Sequence, residues 1–116
     1  MKRLRRATIN SWNGLIACAQ TEQAFREELA VLAIGVPLAF WLTADVGKRL
    51  AFIGTLLIIL IVELLNTAIE KLSDRVSREH DSAIKRVKDM GSAAILLSLV
   101  LAGAVWIWVA VERFWP

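Results

Sequence analysis

The chain has 116 residues, of which 57% are hydrophobic, and it also carries 14 basic and 11 acidic side chains, for a formal net charge of +3. This length allows one domain. Its long uncharged blocks are unlike the helices of a soluble domain, which keep one face polar for water. We therefore predict an all-α integral membrane protein, with residues 1–116 as a single domain. A nucleic-acid partner is not expected, because the basic residues flank apolar blocks, where anionic lipid attracts them, and no groove-reading motif accompanies them.

The first segment, residues 1–22, has the pattern of an amphipathic helix. One side is polar and basic, and the other side holds Leu4, Thr8, Trp12, Leu15, Ile16 and Ala19. We expect this helix to lie in the membrane interface. A core-packing helix of a soluble bundle is the alternative, but the rest of the chain offers little soluble core for it to pack on.

Three further segments are predicted to cross the membrane, at about 26–44, 50–70 and 90–111. A helix of about 20 residues spans the hydrocarbon core of about 30 Å. The third segment is uncharged, and the second is interrupted by Glu63 inside its apolar stretch. Small residues that allow close helix packing in lipid recur at helical spacing in the third span: Ala94, Ser98 and Ala102.

The connections between the spans are polar. Residues 45–49 are predicted to form a short turn, and the second helix is predicted to continue as a polar helix through about Arg78. Most Lys and Arg residues lie before the first span and between the second and third spans. The positive-inside rule therefore places the N-terminus and residues 71–89 in the cytoplasm, and three spans then put the C-terminus on the opposite side of the membrane. An aromatic belt at the outer interface is predicted for Trp41, Trp106, Trp108 and Trp115.

Glu63 is the most informative residue, because an ionisable group inside an apolar span is costly and is retained only where it faces protein, water or a partner. At 100° per residue, four polar residues share its helix face: Asn66, Thr67, Glu70 and Asp74. A deep carboxylate can act as general base on a membrane-dissolved acceptor, while shallower ones meet a magnesium nucleotide. Helix association through hydrogen bonds is the alternative role for this stripe.

Charged residues near the cytoplasmic ends of the predicted helices fit the same chemistry. Lys88 can neutralise charge on a transferring phosphoryl group, and Asp89 and Ser92 lie beside it. Glu22, at the end of the first helix, is another candidate metal ligand. The scattered glycines form no phosphate-binding loop, so side chains and helix ends would have to hold ATP.

The pattern of these segments resembles the prokaryotic diacylglycerol kinase family. Residues 63–70 read ELLNTAIE and are followed by Asp74, which is similar to the family signature E-x-x-N-[ST]-A-[IV]-E with an Asp four residues on. Residues 88–94 (KDMGSAA), 11–15 (SWNGL) and 22–26 (EQAFR) also resemble family segments, so the likeness covers nearly the whole chain. The loop at 79–81 reads EHD, whereas the family commonly has Glu-x-His there.

The resemblance implies a homotrimer of three-span subunits with active sites at subunit boundaries. It implies that Glu63 takes the proton of the lipid hydroxyl and that Glu22 and Glu70 bind Mg²⁺. The implied ATP contacts are Arg3, Asn10, Glu22, Asn66, Glu70, Asp74, Glu79, His80, Asp81, Lys88 and Asp89. The implied lipid contacts are Arg3, Ala24, Phe25, Arg26, Glu27, Glu28, Trp41, Leu42, Thr43, Ala44, Arg49, Glu63 and Ser92.

The resemblance also implies an activity: Mg²⁺- and ATP-dependent phosphorylation of 1,2-diacylglycerol to phosphatidic acid in a bacterial inner membrane. Undecaprenol kinase, whose acceptor is a polyprenol, is the nearest alternative. A non-enzymatic membrane channel or assembly subunit, with Glu63 as a polar gate or helix contact, is a third.

Overall fold

The computed structural model describes residues 1–77 and 81–115, and within those ranges it contains four helices and no strand. The helices are α1 (Lys2–Thr21), α2 (Gln23–Leu42), α3 (Val46–Val76) and α4 (Ser82–Phe114). The all-α prediction is therefore confirmed for the described part of the chain.

The first two helices meet at Glu22, the one residue between them. Its backbone is extended, with φ −120° and ψ 113°, and its N–H donates to the carbonyl oxygen of Cys18 at 2.9 Å. This turn ends α1 at Thr21, close to the predicted limit of the surface helix. Every residue of α1 up to Ala17 is exposed, and Cys18 is its only buried residue.

The predicted polar turn at 45–49 is wrong in its extent, because α3 already begins at Val46. The Asp45 carboxylate accepts from the backbone N–H of Lys48 at 2.9 Å. Such an N-cap satisfies an amide that would otherwise have no partner in the first turn, so the helix starts before the apolar stretch does. The same effect lengthens α4, where Asp81 caps the helix by accepting from the N–H groups of Ala83 and Ile84 at 2.8 and 3.4 Å.

Two of the helices, α3 with 31 residues and α4 with 33, are long and apolar enough to cross a membrane. At about 1.5 Å per residue each is longer than the ~30 Å hydrocarbon core, so a span by either helix would leave part of it outside that core. The 20 residues of α2 include Arg26, Glu27 and Glu28 near its start. Helix α3 ends at Val76. The predicted end of this helix, at about Arg78, lies outside the described residues.

The core lies along α3, which packs lengthwise against both α2 and α4, while α1 touches α2 and α3. One apolar cluster joins the end of α2 to α3 and α4 and consists of Ala39, Leu42, Phe52, Leu56 and Val109. A second cluster, of Cys18, Phe25 and Leu60, joins α1, α2 and α3. Of the predicted small-residue stripe, Ser98 and Ala102 are buried and Ala94 is exposed.

Tryptophans collect at the end of the bundle where α3 begins and α4 ends. Trp106 Nε1 donates to Thr55 Oγ1 at 2.9 Å, and Trp108 Nε1 donates to Glu112 Oε1 at 3.0 Å. Glu112 also forms an ion pair with Lys48. These charged and aromatic groups therefore lie at the opposite end of α3 from Glu70.

Candidate active site

Glu63 lies on α3 within the bundle and is 8% exposed. Three other carboxylates are its electrostatic neighbours: Glu70 about two turns further along α3, Glu22 at the α1–α2 junction, and Glu28 in α2. The fold thus brings acidic groups from three segments around one buried carboxylate. We call these four residues the carboxylate cluster.

The polar face of α3 runs from buried to exposed along the helix. Asn66 and Thr67 are buried at 6% exposure each, whereas Glu70 and Asp74 are exposed. Asn66 Nδ2 donates to Glu70 Oε1 at 3.0 Å and so orients that carboxylate. This graded burial is compatible with a reaction between a membrane-dissolved acceptor and a water-dissolved donor.

Lys71 joins the α1–α2 junction to α3, and sequence reasoning did not single it out. Its Nζ donates to Thr21 Oγ1 at 2.9 Å and lies 3.7 Å from Glu22 Oε1. Lys71 lies about 80° around the helix from Glu63, outside the polar stripe, so helical periodicity does not identify Lys71 as a residue of the site. This contact links Glu22, an electrostatic neighbour of Glu63, to α3.

The other predicted cytoplasmic residues are only partly brought together. Lys88 Nζ donates to Asp74 Oδ1 at 2.7 Å, which joins the start of α4 to the end of α3. Asp89 instead pairs with Lys85 at 2.8 Å, and Asp81 is used as the cap of α4. The predicted ATP contacts Glu79 and His80 lie outside the described residues.

The start of α2 packs against α1 and α3. Phe25 is 1% exposed and belongs to the cluster with Cys18, while Arg26 Nη1 donates to the carbonyl of Ala19 at 2.8 Å. Glu27 accepts from Gln23 at 2.9 Å. Ala24 is exposed.

Glu28 differs from its neighbours in α2, because it is half-buried and its Oε2 atom has no hydrogen-bond partner among the described residues. Glu28 is also an electrostatic neighbour of Glu63.

Several predicted site residues do not converge on Glu63 within one chain. Arg3 and Asn10 lie on the exposed half of α1, and Ser92 is exposed on α4. Arg49 is 14 residues before Glu63 on α3, or about 21 Å along the axis. It donates to the carbonyl oxygen of Thr43 at 2.7 Å, beside the remaining predicted lipid contacts Trp41, Leu42 and Ala44.

The sequence model of the family described as prokaryotic diacylglycerol kinase matches residues 9–110. This chain belongs to that family. It is 42% identical over 106 residues to a diacylglycerol kinase of Pseudomonas aeruginosa, covering 91% of this chain and 86% of the relative. It is 39% identical over 104 residues to a diacylglycerol kinase of Escherichia coli, covering 90% and 85%, and 35% identical over 100 residues to one of Haemophilus influenzae, covering 86% and 85%.

The range matched by the diacylglycerol kinase family contains the whole carboxylate cluster, Asn66 and Lys88. Arg3 precedes that range, and the Lys48 partner Glu112 follows it. The segment that this family member shares with the diacylglycerol kinases therefore includes every residue of the carboxylate cluster.

No group of three or more His, Cys, Asp and Glu side chains in the described ranges is arranged to hold a metal ion. That finding is compatible with magnesium in a kinase, because Mg²⁺ is usually bound by one or two carboxylates together with substrate phosphates and water. In this family member Glu22 and Glu70 are electrostatic neighbours of Glu63, and both are more exposed than Glu63.

Proposed function

We propose that this protein is an ATP-dependent kinase that phosphorylates 1,2-diacylglycerol to phosphatidic acid in a bacterial inner membrane. The family match over residues 9–110 carries this proposal, together with relatives named diacylglycerol kinase. The buried Glu63 among other carboxylates supports it, because a lipid kinase needs a base at membrane depth.

In the proposed reaction Glu63 takes the proton from the lipid hydroxyl. The hydroxyl oxygen then forms a bond to the γ-phosphorus of ATP, the bond from that phosphorus to the β–γ bridging oxygen breaks, and ADP leaves. Positioning and charge neutralisation provide most of the catalysis of phosphoryl transfer. Lys88 supplies a cation at the cytoplasmic end of α4, and its contact with Asp74 keeps it beside α3.

Glu22 and Glu70 are proposed to hold Mg²⁺, which would supply positive charge to the phosphate oxygens. Two features of the chain fit this role. Glu70 is already oriented by Asn66, and Glu22 already has a positive charge beside it, the Lys71 ammonium at 3.7 Å. The same two carboxylates also face Glu63, so a cation held between them reduces the repulsion among these acids.

We propose that α2 is a third membrane span beside α3 and α4, with α1 lying in the interface and residues 1–116 forming one domain. The charged residues Arg26, Glu27 and Glu28 would then lie at the cytoplasmic interface, where snorkelling and pairing reduce their cost. The N-terminus and residues 71–89 would be cytoplasmic and the C-terminus periplasmic.

We further propose a homotrimer with shared active sites. Two features support association. The first is that much of α4 presents large exposed apolar side chains, such as Leu97 at 69% and Ile107 at 66%. The second is that Arg3 and Asn10 are exposed on α1 rather than gathered at Glu63 in the same chain. A neighbouring subunit can complete the enclosure of the polar face of α3, which three helices alone do not surround.

The proposal is tested by purifying the protein in detergent and offering MgATP with diacylglycerol or undecaprenol in separate mixed micelles. We expect phosphatidic acid from the first lipid, ADP released in equal amount, and no product from the Glu63→Gln variant. Phosphorylation of undecaprenol alone would assign the polyprenol activity instead. Release of no ADP with either lipid would refute the kinase.

A further inference from the structure

We propose that Gly91 is a positioning residue for phosphoryl transfer. Because Gly91 has no side chain, the Asn66 amide can lie against α4 in the orientation in which it holds Glu70. This inference rests on the proposed function for its catalytic consequence. The contact itself is a property of the fold and can be tested separately.

The observation is the fit between α3 and α4 at these two residues. Gly91 is buried, and a Cβ atom added to it would overlap Asn66 Oδ1. Asn66 Oδ1 is itself buried and has no hydrogen-bond partner among the described residues, while Nδ2 of the same amide donates to Glu70 Oε1 at 3.0 Å. The amide is thus held between a glycine on one side and a carboxylate on the other.

The hydrogen bond to the Glu70 carboxylate fixes which way this amide points. An ionised carboxylate only accepts hydrogen bonds, so Nδ2 must face Glu70 and Oδ1 must turn toward α4. At that point α4 offers Gly91, whose missing side chain leaves room for the oxygen. A methyl group at residue 91 would push the oxygen away and rotate Nδ2 off the Glu70 carboxylate.

The displaced amide would find no replacement partner nearby. Asn66 and Gly91 line a groove of about 300 Å³ between α3 and α4, and its other walls are the apolar side chains of Val62, Leu65, Ile69, Val87, Met90 and Ala94. A rotated amide in that groove would lose its charge-assisted hydrogen bond without gaining another. Glu70 would then sample orientations that do not hold the nucleotide in place.

Two other glycines provide matched controls. A Cβ on Gly103, on the same helix, meets nothing within 4 Å. Because Ala favours helix over Gly, Gly103→Ala should keep full activity and equal or higher thermal stability. A Cβ on Gly35 would overlap Leu56 Cδ1 in the cluster near the tryptophans, so Gly35→Ala reports a packing clash of similar kind at a distance from Glu70.

The first test is kinetic. We expect Gly91→Ala to lower kcat by roughly 10-fold or more, because small displacements of catalytic groups have large effects on rate, while the KM for diacylglycerol stays near the wild-type value. In the double variant Gly91→Ala/Asn66→Ala the smaller side chain at 66 leaves room for the methyl group, so its kcat should equal that of Asn66→Ala alone. The proposal would be overturned if the kcat of the double variant fell below that of Asn66→Ala by the factor seen for Gly91→Ala alone. It would also be overturned if Gly35→Ala lowered kcat as much as Gly91→Ala does.

The second test needs no catalysis. The side-chain NH₂ resonance of Asn66, assigned by its absence in Asn66→Ala, is compared by ¹⁵N NMR in detergent among wild type, Gly103→Ala, Gly91→Ala and Glu70→Ala. We expect the first two to agree and Gly91→Ala to move to the position seen in Glu70→Ala. A wild-type resonance in Gly91→Ala would refute the contact. An inactive wild-type protein with the expected shifts would refute the proposed kinase and leave the contact established.

Discussion

Replacing Lys71 tests whether a single cation, the Lys71 ammonium, holds the α1–α2 junction against α3. In the variant Lys71→Met the methylene stem is nearly retained while the ammonium is removed. This substitution eliminates the hydrogen bond to Thr21 at 2.9 Å and the ion pair with Glu22 at 3.7 Å. We expect α1 to detach locally from α3 more often, while the bundle formed by the long helices stays intact.

The size of the effect follows from the exposure of the pair. The side chains of Lys71 and Glu22 are 53% and 31% exposed, so solvent screens the ion pair. Surface pairs contribute roughly 0.2–1 kcal/mol, and a hydrogen bond to a hydroxyl adds about 0.5–1.5 kcal/mol. A total of about 1–2 kcal/mol corresponds to a roughly 5- to 30-fold increase in the population of the opened junction.

Cys18 reports that opening, because it is the only cysteine and is buried beside α3. Burial raises the pKa of its thiol above the ordinary value, and the thiolate is the reactive form, so the closed state reacts slowly with a maleimide. When the junction opens, the thiol is exposed and its pKa returns toward normal. The alkylation rate at neutral pH should therefore rise in proportion to the opened population.

Lys85→Met is the matched control. Lys85 also pairs with an acid, Asp89, at 2.8 Å, but on the exposed surface of α4. Its replacement should leave the Cys18 alkylation rate unchanged. If Lys71→Met is alkylated at the wild-type rate, or if both variants accelerate equally, the contact of Lys71 does not hold the junction and the reasoning above is wrong.

Three further predictions concern the proposed reaction. Glu63→Gln should lower kcat by about 100-fold or more, because the amide cannot accept the hydroxyl proton; a wild-type kcat would remove Glu63 from the role of base. Glu22→Ala and Glu70→Ala should each shift the Mg²⁺ dependence of activity to higher concentration without changing lipid affinity, whereas unchanged titration curves in both would place the metal elsewhere. Mixing inactive Glu63→Gln and Lys88→Ala chains in detergent should restore activity if neighbouring subunits supply these residues, and light scattering that shows a fully active monomer would exclude a shared site.

Much of the fold could be predicted from the pattern of apolar and charged residues. The long uncharged blocks indicated helices in lipid, and α3 and α4 have the length and composition that this requires. Their boundaries were less predictable, because Asp45 and Asp81 start these helices through side-chain caps, well before the apolar stretches begin. A capping contact depends on local backbone geometry that hydropathy does not record.

The sequence by itself determined the family and one face of the site: the spacing of Glu63, Asn66 and Glu70 places them together on any helix, whatever surrounds it. Only the tertiary structure decided which other groups meet that face. Lys71 reaches Glu22 because the chain reverses between α1 and α2, and Gly91 meets Asn66 because α4 packs on α3 at that level. Such contacts join residues far apart in the chain, and helical periodicity constrains only neighbours within one helix.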